Sequence, residues 1–374
     1  MASRDTVVVG AGIAGCAVAR LLAESGEGVA VVERGGIGAG ASGRNGGFLF
    51  RQPAAWINEL LDEAAAFYGE LQDGSVPFDF RPTPMLLLAV EEAELEHAVA
   101  YANAVGGEPV DLREDSWLAD DLAGGFAVEG GFTLDAMGAT SAAAEAARRA
   151  GVDFRLDCEA KRILVAGGRV TGVATDAGVL TCGRVVVATG PRLRFLLRTA
   201  GIDLPVSSSR GWLLETGRVD PPPPYAIEQA AWPEQGEMGA LVVDPTLREV
   251  AEGGDEPGLV SLLLGGRPAG HCLIGTSLSR SLLEEPEGPE TVRRLAERAV
   301  RVSPHLADVP VVAAWSGRRA MIPDGLPVVG RVAGVEGLDV LGGLSSIGMI
   351  TAPGLARRLV GGDPGPFDPG RLPS

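Results

Sequence analysis

Near the N-terminus, two uninterrupted runs of apolar residues flank a segment in which the apolar residues have helical spacing. Val7, Val8 and Val9 form a continuous apolar run, which is typical of a strand covered on both faces. Apolar residues then recur at helical spacing, namely Ala14, Ala17, Val18, Leu21 and Leu22, and Gly26 suits the helix end. A second apolar run, residues 29–32, ends at Glu33. The pattern predicts a strand–helix–strand unit.

Further elements follow from the same periodicities. Amphipathic spacing predicts helices over residues 54–72 and 289–302, and an acidic helix over about residues 91–104. Asp135 is the expected N-cap of another helix that ends near Gly151. "PMLLLAV" and a meander of apolar runs up to Gly190 predict strands. The chain closes with strands, a Gly-rich loop and a helix.

The order of these elements predicts an α/β (α+β) fold with two domains. We expect a Rossmann-like nucleotide-binding domain assembled from residues 1–80, 135–210 and 311–374. The intervening residues, 81–134 and 211–310, would form a second, mostly antiparallel β domain over it. The second domain is the expected substrate domain.

Composition narrows the function classes. The chain has 374 residues and a net charge of −17, so we exclude nucleic-acid binding, which favours basic proteins. Cys16, Cys158, Cys182 and Cys272 lack CxxC spacing, which gives no support for a metal site. We find no signal-type N-terminus and no apolar run long enough to span a membrane, and we expect a cytoplasmic protein.

The candidate nucleotide site is the turn between the first strand and the first helix. Gly10, Gly12 and Gly15 form a GxGxxG pattern there, and Glu33 ends the next strand. Such glycines allow a tight turn, a close approach of pyrophosphate and close helix packing, while the acid accepts hydrogen bonds from ribose hydroxyls. With both strands and the helix in place, the pattern predicts dinucleotide binding.

Three further features favour FAD over NAD. The glycine-rich continuation over residues 35–47 is longer than a nicotinamide site needs. "RVVVATG", which contains Ala188, Thr189 and Gly190, is typical of the strand and turn that return beneath a flavin dinucleotide. "GGLSSIGMITAP" supplies a second Gly-rich helix start near the C-terminus, which could stabilise negative charge on a reduced flavin.

The sequence resembles the D-amino acid oxidase / glycine oxidase / sarcosine oxidase family of FAD-dependent amine oxidoreductases. The resemblance is carried by the segments described above and by three more, "GASGRNGG", "GGFTLDAMGATSAAAEAARRAGV" and "WSGRRAMIPDGLPVVG". The resemblance covers nearly the whole chain. It implies an FAD domain plus an antiparallel substrate domain. It also implies oxidation of a C–N bond beside a carboxylate to an imine by hydride transfer to flavin N5, followed by hydrolysis.

The resemblance also implies which residues contact FAD. They lie in the first turn, after the second strand, in the early glycine loop, in the returning strand and in the C-terminal loop. The expected contacts are Gly10, Gly12, Ile13, Ala14, Gly15, Glu33, Arg34, Ala41, Ser42, Arg44, Asn45, Gly46, Gly47, Ala160, Ala188, Thr189, Gly190, Arg319, Gly343, Leu344, Ser345, Ser346, Ile347, Gly348 and Met349.

Arg319 matches the family arginine that holds the substrate carboxylate in a W-x-G-x-R segment. Its planar guanidinium can grip a carboxylate through two hydrogen bonds. Arg318 next to it is the alternative, and Ala320 stands where the family commonly has proline. Arg44 and Arg51 are further candidate catalytic residues, because either could stabilise a reduced flavin.

The resemblance leaves the electron acceptor open. Some family members attach FAD to a cysteine in this C-terminal region, whereas residues 315–330 contain none, so we expect non-covalent FAD. Some also use a lysine near the flavin to help oxygen react. Lys161, the only lysine, is predicted near the adenine end, so the acceptor could be oxygen or another molecule.

Two alternatives to a small amino acid or amine oxidoreductase stay open. One is an FAD-dependent dehydrogenase subunit that passes electrons to a non-oxygen acceptor. The other is a flavin-binding subunit that oxidises no amine, because fold analogy alone does not establish activity. The sequence gives no oligomeric state.

Overall fold

A computed structural model describes residues 4–113, 115–230, 259–280 and 289–372. Within these ranges, no helix combines the length and the apolar character that crossing a membrane requires. The strands are β1 (Arg4–Val9), β2 (Val29–Val32), β3 (Phe48–Leu49), β4 (Phe80–Pro82), β5 (Met85–Ala89), β6 (Glu108–Pro109), β7 (Gly124–Val128), β8 (Phe132–Leu134), β9 (Asp153–Arg155), β10 (Ala160–Ala166), β11 (Arg169–Thr175), β12 (Gly178–Val187), β13 (Ser207–Arg218), β14 (Ala226–Gln229), β15 (Leu259–Gly266), β16 (His271–Arg280), β17 (Val311–Met321), β18 (Val328–Arg331) and β19 (Leu338–Gly342).

The α-helices of the described residues follow in chain order. They are α1 (Ile13–Glu24), α2 (Ala55–Gln72), α3 (Leu95–Val105), α4 (Ala136–Arg149), α5 (Leu193–Arg198), α6 (Pro289–Val302) and α7 (Gly348–Gly361). Asp135 caps α4 by accepting hydrogen bonds from the backbone N–H groups of Met137 and Gly138, as the sequence predicts.

A parallel sheet forms the centre of the first layer, with strand order β9–β2–β1–β12–β19. β18 pairs antiparallel with β19, and β12 continues into the antiparallel meander β10–β11. The continuous apolar runs are explained by burial on both faces. One face packs against α1, α2, α4 and α7, and the other against α5 and the meander.

A second sheet has the order β17–β13–β16–β15–β14–β5–β7–β6 and is antiparallel except for the β14–β5 pair. Alternate residues point to opposite faces of a strand. Trp212, Leu214, Ile227, Leu264 and Ile274 therefore pack together against α6, whose buried side includes Leu295, Ala299 and Val302. The opposite face of the sheet is turned towards a large cavity that residues of the parallel sheet also line.

Two details differ from the sequence-based expectations. β13 and β17 pair with each other over most of their length, with Ser209 opposite Arg319. Residues 207–210 and 311–321, expected in the nucleotide-binding domain, therefore belong to the antiparallel sheet, because an apolar strand pattern does not identify its pairing partner. The acidic helix begins only at Leu95, since the Glu94 carboxylate accepts a hydrogen bond from Val90 N and holds a separate turn before it.

The packing of α1 on β1 yields a stability prediction. A Cβ on Gly15 would lie 1.8 Å from the carbonyl oxygen of Gly10, so Gly15→Ala must push the helix away from the strand. We expect a loss of about 3 kcal/mol in the free energy of unfolding, measured by urea denaturation.

Gly69, in the interior of α2, is the matched control because a Cβ there would meet nothing within 4 Å. Gly69→Ala should raise the free energy of unfolding by about 0.5–1 kcal/mol, since alanine is the better helix former. Equal effects of the two substitutions would contradict the close contact at Gly15.

Candidate functional site

The first turn of the chain is shaped to receive a ligand at the N-terminus of α1. Gly10 has φ +111°, and a Cβ there would lie 2.4 Å from the carbonyl oxygen of Ala188. A Cβ on Gly12 would point at Ser42 Oγ, 2.9 Å away. Both glycines line the cavity. Backbone without side chains at a helix N-terminus is the arrangement that binds a pyrophosphate.

Glu33 and Ser42 organise this turn from opposite sides. The two carboxylate oxygens of Glu33 accept hydrogen bonds from Ala11 N and Gly35 N, each at 2.9 Å. Ser42 Oγ accepts a hydrogen bond of 3.0 Å from Ile13 N, one of the first N–H groups of α1. Carboxylate oxygens have further lone pairs, so Glu33 can still accept hydrogen bonds from ribose hydroxyls while it bonds the backbone.

The early glycine loop, residues 40–47, is fixed by its own polar side chains. Asn45 donates to the carbonyl oxygens of Ala41 and Ser42 and accepts from Gly47 N at 2.9 Å. Arg44 donates to the carbonyl oxygens of Ala39 and Ser316, at 3.1 and 3.4 Å. The loop is thereby tied to β17, which carries Arg319.

The C-terminal Gly-rich loop, residues 343–348, closes the cavity opposite the early loop. Gly343 has φ +65° and Ser345 has φ +47°, so the chain turns sharply before α7. Ser345 N donates to Ala320 O at 2.9 Å, and Tyr68 Oη donates to Met349 O at 2.8 Å. These bonds hold the N-terminus of α7 against both the antiparallel sheet and α2.

Arg319 lies on the antiparallel sheet and reaches across it. Its guanidinium passes over Gly211 of β13, where a Cβ would lie 2.3 Å from Arg319 Nη1. Nη1 donates to Ser277 O at 2.9 Å and Nη2 to Thr276 Oγ1 at 2.7 Å, both on β16. Burial lowers the pKa of Arg319 to about 10, so the group stays cationic at neutral pH.

The structure brings together almost all of the predicted site residues. The following residues all line the same cavity: Gly10, Gly12, Ile13, Ala14, Glu33, Arg34, Ala41, Ser42, Arg44, Asn45, Gly46, Gly47, Ala160, Ala188, Thr189, Gly190, Arg319, Gly343, Leu344, Ser345, Ser346, Ile347, Gly348 and Met349. Arg318, the alternative to Arg319, lines it too.

Two predicted residues lie elsewhere. Gly15 contacts the backbone of Gly10 and serves helix packing. Arg51 is not among the cavity-lining residues, because its guanidinium turns to α2, where it pairs with Asp62 at 2.6 Å and donates to Asn58 O. The neighbouring apolar residues Phe48 and Phe50 line the cavity instead, so the strand alternation turns Arg51 away from it.

Sequence reasoning missed two polar residues on the side of the cavity formed by the antiparallel sheet. Arg267 donates to the carbonyl oxygens of Leu134 and Gly46, each at 2.8 Å, and so anchors the early glycine loop to the second sheet. Glu228 of β14 lines the cavity among apolar neighbours. An acid inside the apolar strand sequence "YAIEQA" was the available signal for Glu228, and nothing in the local sequence marked Arg267.

Burial raises the pKa of Glu228 to about 7, and a hydrogen bond with Tyr101 opposes that rise. On the same strand, Ile227 and Gln229 point to the opposite face, where Gln229 bonds Glu94 and Arg298. The alternation of β14 therefore fixes Glu228 on the cavity side.

The cavity fits an extended dinucleotide. Its volume of about 840 Å³ lies in the range of known cofactor and ligand sites. Thr189 Oγ1 is buried in its wall without a hydrogen-bond partner among the described residues, which is costly unless a ligand supplies one. All four cysteines are described, and none of them lines the cavity.

A parallel sheet with a glycine cradle, an acid after β2 and an antiparallel sheet facing the same cavity define a dinucleotide-binding oxidoreductase. The comparison with known families agrees: residues 5–361 match the model of the DAO family, described as FAD dependent oxidoreductase. The chain belongs to this family, and its cofactor is FAD. The predicted family and cofactor are therefore confirmed.

The chain is similar to several curated relatives. A glycine oxidase of Pseudomonas aeruginosa is 28% identical, over 99% of this chain and 100% of the relative. A D-amino acid dehydrogenase of Cereibacter sphaeroides is 29% identical, over 81% of this chain and 64% of the relative.

The fold is shared with solved structures. A glycine oxidase from Bacillus cereus superposes with a TM-score of 0.82 at 21% identity, over 96% of this chain and 97% of that one. This similarity confirms the predicted fold class.

The raised pKa of Glu228 has a consequence for stability. The folded protein keeps a proton up to about pH 7 that the unfolded chain releases near its ordinary pKa. Stability therefore falls as the pH rises between these two values. The stability advantage of Glu228→Gln over the unsubstituted protein should be larger at pH 8 than at pH 5, by about 2 kcal/mol in the free energy of unfolding.

Ser261→Ala changes the same cavity wall without a titrating group and serves as the control. Urea denaturation at both pH values measures the effect. A stability difference between Glu228→Gln and the unsubstituted protein that stays constant with pH would contradict the burial argument.

Proposed function

We propose that the protein oxidises the C–N bond of a small amino acid or amine that carries a carboxylate, giving an imine that water hydrolyses. The observation that carries this proposal is the position of Arg319. Its partly buried cation faces the same cavity as the glycine cradle of the FAD site. The relatives named glycine oxidase and D-amino acid dehydrogenase support the same substrate class.

Arg319 would bind the substrate carboxylate. A guanidinium presents a rigid fork of donors that matches a carboxylate. The bonds to Ser277 O and Thr276 Oγ1 fix the direction of this fork from the side of β16. Both of these acceptors are neutral oxygens, and they orient the cation. A substrate carboxylate would bind the guanidinium from the cavity side.

Apolar side chains beside Arg319 would shield the reacting carbon from water. Leu213, Leu263 and Phe48 line the cavity on this side. A Cβ on either Gly46 or Gly265 would lie 2.5 Å from the Phe48 ring, so the ring is held between the early glycine loop and β15. Such a narrow apolar wall suits a small substrate.

FAD would be held by the glycine cradle, Glu33, the early glycine loop and the N-terminus of α7, and when bound it supplies the two-electron acceptor for the oxidation. The backbone N–H groups at the start of α7 favour negative charge. Arg44, which bridges the early loop and β17, adds a positive charge to the same wall.

A second candidate is the same oxidation with electrons passed to an acceptor other than oxygen. The sole lysine, Lys161, pairs with Glu159, whose pKa is lowered first by Lys161 and also by Arg192 and Arg34. Lys161 therefore lies in a charged group at the end of the cavity that Arg34 lines, away from the antiparallel sheet. The position of Lys161 favours a dehydrogenase over an oxidase.

Anaerobic bleaching of the flavin tests the proposal. The FAD-loaded protein is mixed without oxygen with glycine, sarcosine, D-alanine, L-alanine and L-proline in turn, and the flavin spectrum is followed. We expect at least one of them to bleach it. Air is then admitted, and slow return of colour would support a non-oxygen acceptor. A flavin that no amine bleaches would overturn the proposed oxidation.

Arg319 and Arg51 give a matched pair of variants for the substrate site. Arg319→Ala should raise KM about 100-fold with FAD content unchanged, since it removes the charged partner of the substrate carboxylate. Arg319→Lys should recover only part of the loss, because an ammonium lacks the two-pronged geometry.

Arg51→Ala serves as the control, since Arg51 pairs with Asp62 outside the cavity lining. Its KM should stay within about twofold of the unsubstituted value, as the loss of an exposed ion pair contributes little. Steady-state kinetics with the best bleaching amine measure all three variants. An unchanged KM in Arg319→Ala would exclude Arg319 from carboxylate binding.

A further inference from the structure

Glu228 is an acid on the substrate side of the cavity that the proposed binding of carboxylate and FAD does not use. The cavity lining within the described residues contains three acids, Glu33, Glu159 and Glu228. Glu33 and Glu159 belong to the nucleotide-binding layer. Glu228 alone of them lies on the antiparallel sheet, on the same face as Arg319, Leu213 and Leu263.

The sheet sets the separation between Glu228 and the Arg319 guanidinium. That guanidinium lies over β16, where it bonds Thr276 and Ser277. Glu228 pairs with Leu263 of β15, and Leu263 in turn pairs with Gly275 of β16. Two strand spacings therefore separate the groups, which amounts to about 10 Å across the sheet.

This separation suits an α-amino acid bound at both of its ends. Charge-assisted hydrogen bonds of about 2.8 Å at each end, together with the reach of the glutamate side chain, leave room for one carboxylate–Cα–amine unit. A carboxylate on Arg319 then directs the ammonium towards Glu228. The Arg319 cation and the Glu228 carboxylate therefore match the carboxylate and the ammonium of an amino acid zwitterion.

Ser261 supplies a second, independent observation at the same place. Its side chain lines the cavity on β15 and is 2% exposed. Its hydroxyl has no hydrogen-bond partner among the residues that the structure describes. A buried hydroxyl without a partner is costly, and a ligand N–H group or nitrogen at this wall would satisfy it.

On the basis of the proposed function, we infer that Glu228 is the catalytic residue that takes the proton from the substrate ammonium, with Ser261 holding the resulting amine. One N–H bond of the ammonium breaks and its electron pair stays on nitrogen as a lone pair. The proton forms an O–H bond with the Glu228 carboxylate. The neutral amine is the form from which the Cα–H can leave as hydride, since its lone pair stabilises the imine that forms.

The surroundings of Glu228 suit this role. The apolar side chains Phe48, Phe50 and Leu263 lie on the same side of the sheet. With a pKa of about 7, the carboxylate is a stronger base than an ordinary glutamate and approaches the pKa of amines, about 8–10. Such matching favours proton transfer.

Within the part of the chain that the structure describes, the charged and titratable groups around Glu228 are few. Tyr101 of α3 contacts it and donates to Arg51 O. Arg298 and Glu94 lie on the opposite face of β14, bonded to Gln229. Arg319, Arg318 and Arg44 line the same cavity as Glu228. β5 and β15, the strands paired with β14, carry no ionisable side chain.

The test is the pH profile of anaerobic flavin reduction by the amine that bleaches the unsubstituted protein best. We expect Glu228→Gln to lower the rate at limiting substrate about 100-fold at pH 7, and the deficit to shrink to within about threefold at pH 10. At high pH the free amine is abundant and needs no base.

Propionate, a carboxylate without an amine, is the binding control. It should perturb the flavin spectrum of Glu228→Gln at concentrations no higher than in the unsubstituted protein, whereas Arg319→Ala should lose this binding. Ser261→Ala should raise KM for the amine and leave the pH profile unchanged.

The outcomes separate the two proposals. A deficit of Glu228→Gln that is the same at every pH, or no deficit at all, would overturn the role of Glu228 while the amine oxidation stands. Weakened propionate binding in Glu228→Gln would show that the residue only shapes the pocket and would overturn the inference too. If no amine bleaches the unsubstituted protein, the proposed function and this inference both fall.

Discussion

The site depends on one close approach of backbone to backbone. β1, α1 and the end of β12 meet where Gly10 would clash with Ala188 and Gly15 with Gly10 if either carried a side chain. Because the three segments touch there, the N-terminus of α1 and the turn after β12 open into one cavity. The carboxylate of Glu33 then closes the turn through Ala11 N.

In the antiparallel sheet, a glycine also allows a close approach. Gly211 leaves the space through which Arg319 crosses β13 to reach β16. Arg44 and Arg267 then bond the early glycine loop to β17 and to the second sheet. The early glycine loop and the antiparallel sheet are therefore held together by arginine–carbonyl bonds, which combine a charged donor with a fixed planar geometry.

Local sequence was sufficient to predict the geometry of the glycine cradle. Gly10, Gly12 and Glu33 depend on a strand, a turn and a helix that are adjacent in the chain, and the structure brings all three to the wall of the cavity. Predictions that required knowledge of strand pairing were less successful. Arg51 was expected at the flavin, yet its side chain points away from the cavity and pairs with Asp62. β17 was expected in the nucleotide-binding domain, yet it pairs with β13 in the antiparallel sheet.

Glu228 escaped sequence analysis for the same physical reason. A lone acid in a short strand has no partner nearby in the chain. Arg319, which lines the same cavity, lies about ninety positions away in sequence and four strands away in the sheet order. Only the folded sheet shows that both residues share one face. The side chains proposed to bind the substrate are thus positioned by long-range strand pairing, whereas the glycine motif is positioned by local geometry.

The central claim is that the glycine cradle and the two loops beside it bind a single FAD. The most direct measurement is a titration of flavin-free protein with FAD, followed by the change in flavin fluorescence, for the unsubstituted chain and for Gly12→Val. The account predicts saturation at one FAD per chain for the unsubstituted protein. It predicts loss of that binding in Gly12→Val with the far-ultraviolet circular dichroism unchanged. Failure of the unsubstituted protein to take up FAD, or equal uptake by a folded Gly12→Val variant, would contradict it.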